Sequence, residues 1–283
     1  MAVPSQDPVQ QSFHKWMCKY LVPMVARFES FNLDGSPLDK TLLIFSGFIL
    51  RVHNLFFWAT AGHCINDFED LLRHPHVRIQ GISLADCFGE DAVFRESIPF
   101  PYAIGDAFRI HDEGEYLDFA LVRLSGNLCE QLAVNGVTCV SRGNWSKPDD
   151  RRFFHHIVLG FPESSVDDQR RRGFMQPVGV AIDALDPDEL PDEDCGKWFV
   201  GKVRSDDIET IKGMSGGPIF GFWKDDANRT HFSIFALQSW WDKKTRIIRG
   251  CTLNMFAEVL HRHMEELAER FQMGAGDSFD PVL

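Results

Sequence analysis

One serine in this chain stands among glycines, in Gly213-Met214-Ser215-Gly216-Gly217-Pro218. Glycine tolerates tight and left-handed turns. Such a turn can leave a hydroxyl exposed and aim nearby N–H groups at one point, where the oxyanion of an acyl transfer would sit. The same letters also spell an ordinary glycine-rich turn. A serine nucleophile needs a base within hydrogen-bond reach and a carboxylate that fixes the base's tautomer. His63 lies in Thr60-Ala61-Gly62-His63-Cys64, directly after a strongly apolar run. A rigid strand would hold it and the following loop would free its ring, although a lone His in such a place also serves structure. Asp118 heads the apolar segment Leu117-Asp118-Phe119-Ala120-Leu121-Val122-Arg123-Leu124. An acid is costly to bury without a donor, so it wants one, and an imidazole N–H would serve. Taken alone, an acid at a strand edge is equally an exposed residue.

The elements that must position these residues read as short strands. Residues 42–50 and 55–60 are apolar runs joined by a polar break, the pattern of a hairpin. Further strands are expected at 76–84, 91–97, 106–111 and 117–124. After a linker over 140–151 they resume at 153–159, 173–184, 198–203, 218–223, 232–240 and 246–253. Helices are expected only near the ends. Over 8–21, Phe13, Trp16, Met17, Tyr20 and Leu21 share one face. Over 254–272, Asn254 is a good N-cap and Phe256, Leu260, Met264, Leu267 and Phe271 form one stripe. This is an all-β sandwich or barrel.

Composition narrows the classes. The 283 residues suit one large domain or two small ones. A hydrophobic content of 44% supports a real core. The net charge of −12 argues against nucleic acid, whose phosphates need a basic footprint. No apolar run is long enough to cross a membrane and no leader is read, so neither membrane nor secretion is expected. Seven Cys without a C-x-x-C pair are read as reduced thiols of a cytosolic protein. His74 with His76, His155 with His156, and His261 with His263 lack companion ligands, so no metal or other cofactor is expected. The acidic stretch 183–194 and the basic knot 169–172 are read as solvated loops, with a partner-binding role as the alternative.

Taken in order, Thr-Ala-Gly-His-Cys, Asp-Phe-Ala-Leu-Val-Arg-Leu and Gly-Met-Ser-Gly-Gly-Pro resemble the trypsin/chymotrypsin-like serine peptidases. Ile44-Phe45-Ser46-Gly47-Phe48 and Leu159-Gly160-Phe161-Pro162 extend the resemblance, which covers roughly residues 40–265. It implies two six-stranded antiparallel β-barrels with a site in the cleft. The organisation expected is an N-terminal helix and lead-in strand (1–28), a first barrel (29–140), a second barrel (141–253), and a C-terminal helix and tail (254–283). It also implies roles: Ser215 as nucleophile, His63 as base, Asp118 as its orienter, and the Gly213 and Ser215 N–H groups as oxyanion hole.

The chain also departs from the family. The strand before the His lacks the Cys that usually bridges to the Cys64 position. Met214 replaces the Asp that pairs with a new N-terminal amine in digestive members, so activation by N-terminal insertion is not expected. The chain looks more like the HtrA-type branch without a PDZ module. The alternative is a turn that a regulatory protein partner orders. For specificity, Glu209 falls where trypsin-like members carry an acid that binds substrate Arg or Lys, or it is an exposed loop residue. Ser239, Trp240 and Trp241 fall on the strand that pairs with substrate backbone. Trp241 stands where many members have Gly, so it narrows the side-chain pocket or turns outward. The expectation is a serine endopeptidase acting on proteins or peptides after basic residues. The rival is a protease-fold binding module or effector subunit.

Overall fold

The computed structural model describes residues 8–52, 54–85, 97–112, 117–145, 152–162, 177–186, 198–204, 208, 210–255 and 259–260. After α1 (Pro8–Cys18), the first half contains β1 (Met24–Phe31), β2 (Pro37–Phe45), β3 (Phe48–Val52), β4 (Leu55–Thr60), α2 (Gly62–Arg73), β5 (Val77–Leu84), β6 (Ile98–Pro99), β7 (Ala107–Asp112), β8 (Leu117–Arg123) and α3 (Gly126–Val134). Its strands form two four-stranded antiparallel sheets, in the orders β2-β1-β5-β6 and β3-β4-β8-β7. Only Ser46 and Gly47 separate β2 from β3. One chain path therefore serves both sheets and bends at that joint. Gly47 is required there, because a Cβ would press on the Trp58 indole and the Ala59 carbonyl. The Trp58 indole N–H donates to Val22 O at 2.7 Å and is fully buried.

The second half follows α4 (Arg142–Trp145). It contains β9 (His155–Gly160), β10 (Val178–Ala184), β11 (Trp198–Val203), β12 (Pro218–Lys224), β13 (Thr230–Asp242) and β14 (Ile247–Thr252). These close into a six-stranded barrel in the order β10-β11-β14-β13-β12-β9. Phe48, Leu50, Phe119 and Leu121 of the first half share one buried cluster with Leu159, Phe161, Phe220 and Leu237 of the second. The two halves are therefore joined by core rather than by a wet seam. Helix α1 precedes the first half yet docks on the second. Trp16 stands edge-on to Phe232 at 4.6 Å, and Tyr20 stands edge-on to Phe220 at 5.9 Å.

Most of the expected strands are present with boundaries shifted by a few residues. The expectation of helices only near the ends is corrected by α2 and α3. In α2, Ile65 and Phe68 are fully buried, at a helical spacing that the preceding strand pattern obscured. In α3, Ser125 caps the first turn and Leu128 and Leu132 face inward. The 140–151 segment is not a bare linker at its start. Val140 bridges Leu50, and α4 follows. The strand expected at 91–97, the basic knot 169–172 and most of the C-terminal helix lie outside the described residues.

Candidate active site

β4 runs buried to Thr60 and stops at Ala61, whose backbone is extended (φ −72°, ψ 144°). Helix α2 starts at the next residue without a side-chain cap from Ala61. The first N–H groups of a helix need outside acceptors. Here Asp118 supplies one from β8, its Oδ1 accepting the His63 backbone N–H at 2.8 Å. The other carboxylate oxygen, Oδ2, lies 2.6 Å from His63 Nδ1. One acid thus caps the helix that carries His63 and holds its ring. With the proton on Nδ1, the Nε2 atom is left as the basic position. Gly62 makes this approach feasible, since a Cβ there would lie 2.9 Å from both Asp118 Oδ1 and Ile110 O. The electrostatics follow. Burial works against a charged His63 ring, but the Asp118 carboxylate and the Cys64 thiol outweigh it and raise the pKa above the ordinary imidazole value.

Ser215 sits on a turn whose ends are tied down. The Met214 N–H donates to Ile211 O at 3.0 Å, and Gly213 has φ +93°. Together these define a type II turn with Gly at its third position. Gly216 (φ +86°) donates to Gln238 O at 2.7 Å, Gln238 donates back to Gly217 O at 2.9 Å, and Gly217 donates to Met214 O at 2.9 Å. A Cβ on Gly216 would collide with the Thr60 hydroxyl and the Ser46 carbonyl, and one on Gly217 with the Leu159 carbonyl. The turn is pressed against both halves. Its N–H groups are not equally used. Those of Met214, Gly216 and Gly217 are bonded, whereas those of Gly213 and Ser215 have no protein acceptor among the described residues. Two free donors flanking one residue of a half-exposed turn are what a developing oxyanion requires.

The turn and the ring meet at Cys64. Its sulfur lies 3.6 Å from His63 Nε2 and 3.7 Å from the Ser215 carbonyl oxygen. Through that sulfur the Ser215 backbone lies near the pair that His63 forms with Asp118. The Ser215 hydroxyl itself makes no hydrogen bond among the described residues. Cys18, Cys64, Cys129, Cys139 and Cys251 form no disulfide with one another.

Two residues near the site, Cys251 and Ser46, were given no role by the sequence. Cys251, fully buried on β14, accepts the Asp118 N–H at 3.3 Å, and burial pushes its thiol pKa up to about 12. Ser46 is fully buried at the β2–β3 joint, and its hydroxyl donates to Gly213 O at 3.2 Å while accepting the Phe161 N–H at 3.1 Å. The Met214 side chain, where an ion pair was not expected, is buried in the second barrel with Ile211, Val158 and Ile219. Gly160 leaves room for it, as a Cβ there would lie 3.0 Å from Met214 Cβ. The only advance signal for Ser46 was a polar residue interrupting an apolar run.

The specificity residues divide. Glu209 lies outside the described residues. Beside it, Ile208 O accepts Arg246 Nη1 at 3.1 Å. Ser239 is the bulge residue between Gln238 and Trp240 and donates to Arg249 O at 3.4 Å. Trp240 is 42% exposed, with the Arg249 guanidinium 4.6 Å above its ring. Trp241 turns inward and packs on the cluster that contains Ile211 and Met214. Among the described residues no group of three or more His, Cys, Asp or Glu could hold a metal ion, and no helix is long and apolar enough to cross a membrane.

The described strands form one closed six-stranded barrel with two four-stranded antiparallel sheets beside it, an all-β architecture. No protein-family model and no curated protein matches the chain. Among solved structures, a Glu endopeptidase in complex with MPD is similar at a TM-score of 0.42 and 12% identity, over 80% of this chain and 83% of that one.

Proposed function

We propose that this chain is a serine endopeptidase. One observation carries the reading: two free N–H groups, of Gly213 and Ser215, lie on a turn whose Ser215 carbonyl reaches the same Cys64 sulfur as the ring of a histidine that Asp118 holds by both ring and backbone. Ser215 Oγ attacks the substrate carbonyl carbon as His63 Nε2 takes its proton. The carbonyl oxygen becomes an oxyanion between the two N–H groups. Collapse of the tetrahedral intermediate breaks the C–N bond, and His63 returns the proton to the leaving amine. Water then repeats the sequence on the acyl-enzyme, with His63 again as base. Losing one oxyanion donor in such a site costs about 10²–10³ in rate. Met214, buried where an ion-paired Asp would need a new N-terminus, supports a turn ordered without processing, as in the HtrA-type branch.

Trypsin-like cleavage after basic residues rests on the sequence position of Glu209, six residues before Ser215. Peptide-library profiling checks this, and a preference for small or aromatic residues would remove it. The negative charge and these unbridged thiols support a cytoplasmic protein acting on proteins or peptides rather than nucleic acid.

Labelling with a fluorophosphonate tests the activity. Reaction at Ser215, abolished in Ser215→Ala and strongly reduced in His63→Ala, is the expected result. The unbonded Ser215 hydroxyl favours one second reading, a site that a protein partner tightens. Such links are often loose before substrate binds. Labelling that appears only on adding cell extract would favour the gated form, and none under any condition would favour a binding module.

A further inference from the structure

We propose that Ser46 is a positioning residue for the oxyanion hole, a hydroxyl from the first half that sets the direction of the second half's N–H donors. The proposal rests on the serine endopeptidase reading above. The two donors belong to Gly213 and Ser215, and the Gly213–Met214 peptide lies between them. A rotation of that peptide that carries its neighbours with it changes the angle between the donors, and with it their ability to converge on one oxygen. Both ends of the peptide are tied. Its N–H reaches Ile211 O at 3.0 Å within the turn, and its carbonyl accepts the Ser46 hydroxyl at 3.2 Å. The first tie is local and would survive small rotations of the turn as a body. The second is anchored 167 residues away, on a different sheet.

Ser46 is itself held on both sides. It accepts the Phe161 N–H at 3.1 Å, which directs its proton towards Gly213, and its own carbonyl accepts the Thr60 hydroxyl at 2.8 Å. That carbonyl and hydroxyl are the two groups Gly216 presses against. Ser46 thus meets the nucleophile turn at both of its left-handed glycines, which are the positions where the backbone is freest to turn. In this chain a hydrogen bond across the two halves does the work for which no ion pair to Met214 exists.

A merely structural Ser46 would satisfy the Phe161 N–H and nothing more. The two roles separate in kinetics. The test compares the full-length wild type with Ser46→Ala, after thermal unfolding shows that the variant is folded. The substrate is a fluorogenic peptide selected from a library with the wild type. The second probe is an aldehyde of the same sequence, whose adduct carries an oxyanion. The third is the corresponding acid, which binds without forming one.

The expected result is a fall in kcat of about 10- to 100-fold, up to the loss of one hole donor, with KM changed by less than about 2-fold. The aldehyde should weaken by the factor lost in kcat, and the acid should not weaken. Ser46→Cys, with the same shape and a weaker donor, should fall between the two, and it carries the comparison if Ser46→Ala does not fold. An unchanged kcat in a folded variant would overturn the proposal. So would equal weakening of aldehyde and acid. A wild type that never reacts with a fluorophosphonate would overturn the peptidase reading itself, and the role of Ser46 with it.

Discussion

The two halves treat their polar groups in opposite ways. The first half saturates them. Asp118 uses both oxygens on His63, and Glu69, fully buried in α2, receives Tyr102 Oη at 2.6 Å, the Gly105 N–H at 3.0 Å, Arg73 Nη2 at 2.9 Å and Arg109 Nη1 at 2.7 Å. The second half withholds partners at one turn, leaving the Gly213 and Ser215 N–H groups open. On the proposed peptidase reading, this difference is a division of labour. A base must be fixed before reaction, so its surroundings are completed in the resting protein. An oxyanion exists only in passing, so its donors must be left unused until then.

That contrast can be broken at its strongest point. Asp118→Asn should lower kcat/KM by about 10⁴, as removal of a ring-orienting carboxylate does elsewhere. The sign of its pH effect follows from His63. Its pKa is raised, and only the neutral ring can take a proton, so wild-type activity is lost as pH falls through that raised value. In Asp118→Asn this acid limb should move to lower pH. A limb that stays in place would show that Asp118 does not control the ring.

A smaller effect is expected from the turn. Gly216→Ala adds a methyl against the Thr60 hydroxyl and the Ser46 carbonyl at φ +86°. Strain and overpacking together should cost about 4 kcal/mol in thermal unfolding and abolish labelling. Gly35→Ala is the control. It also has a positive φ but meets nothing within 4 Å, and should cost about 1 kcal/mol. Equal losses would mean that backbone conformation, not contact with the first half, makes the Gly216 position glycine-only.

Glu69→Gln sharpens the saturated side. Breaking this buried network should cost about 3 kcal/mol at neutral pH. Despite burial, hydrogen bonds and Arg109 hold the Glu69 pKa down from 4.5 to about 2. A lowered carboxylate pKa contributes stability above its unfolded value, and that stability fades as pH falls from about 4.5 towards about 2. The wild type should therefore lose more stability than Glu69→Gln across that window in unfolding measurements. Smallest is Ser125→Ala, which removes the acceptor of the Leu128 N–H at the start of α3 and should cost about 1 kcal/mol.

The sequence made the chemistry-bearing motifs readable because each carries its own backbone demand. Gly62 is forced by the Asp118 carboxylate and Gly216 by Thr60, so the glycines marked the site as surely as the serine did. Strand periodicity was readable for the same local reason. Ser46 and Cys251 were not readable. Their partners lie 167 and 133 residues away, and nothing in their neighbours announces such a contact. Helix α2 was hidden differently: its first residues belong to the His motif, and its cap is a side chain from another strand. The inward turn of Trp241 depended on β13 and β14 pairing it opposite Ile248, a register that only the closed barrel fixes.

The span between Ser46 and Gly213 also bears on how the protein is made. Chains emerge N-terminal end first and fold in units as they do. The segments that pair His63 with Asp118 leave the ribosome well before residue 213. Until then Ser46 has no Gly213 carbonyl to meet, and closing so long a loop is entropically costly. On the proposed peptidase reading, a nascent chain thus carries a base without its nucleophile, and the turn is set only when both halves have docked.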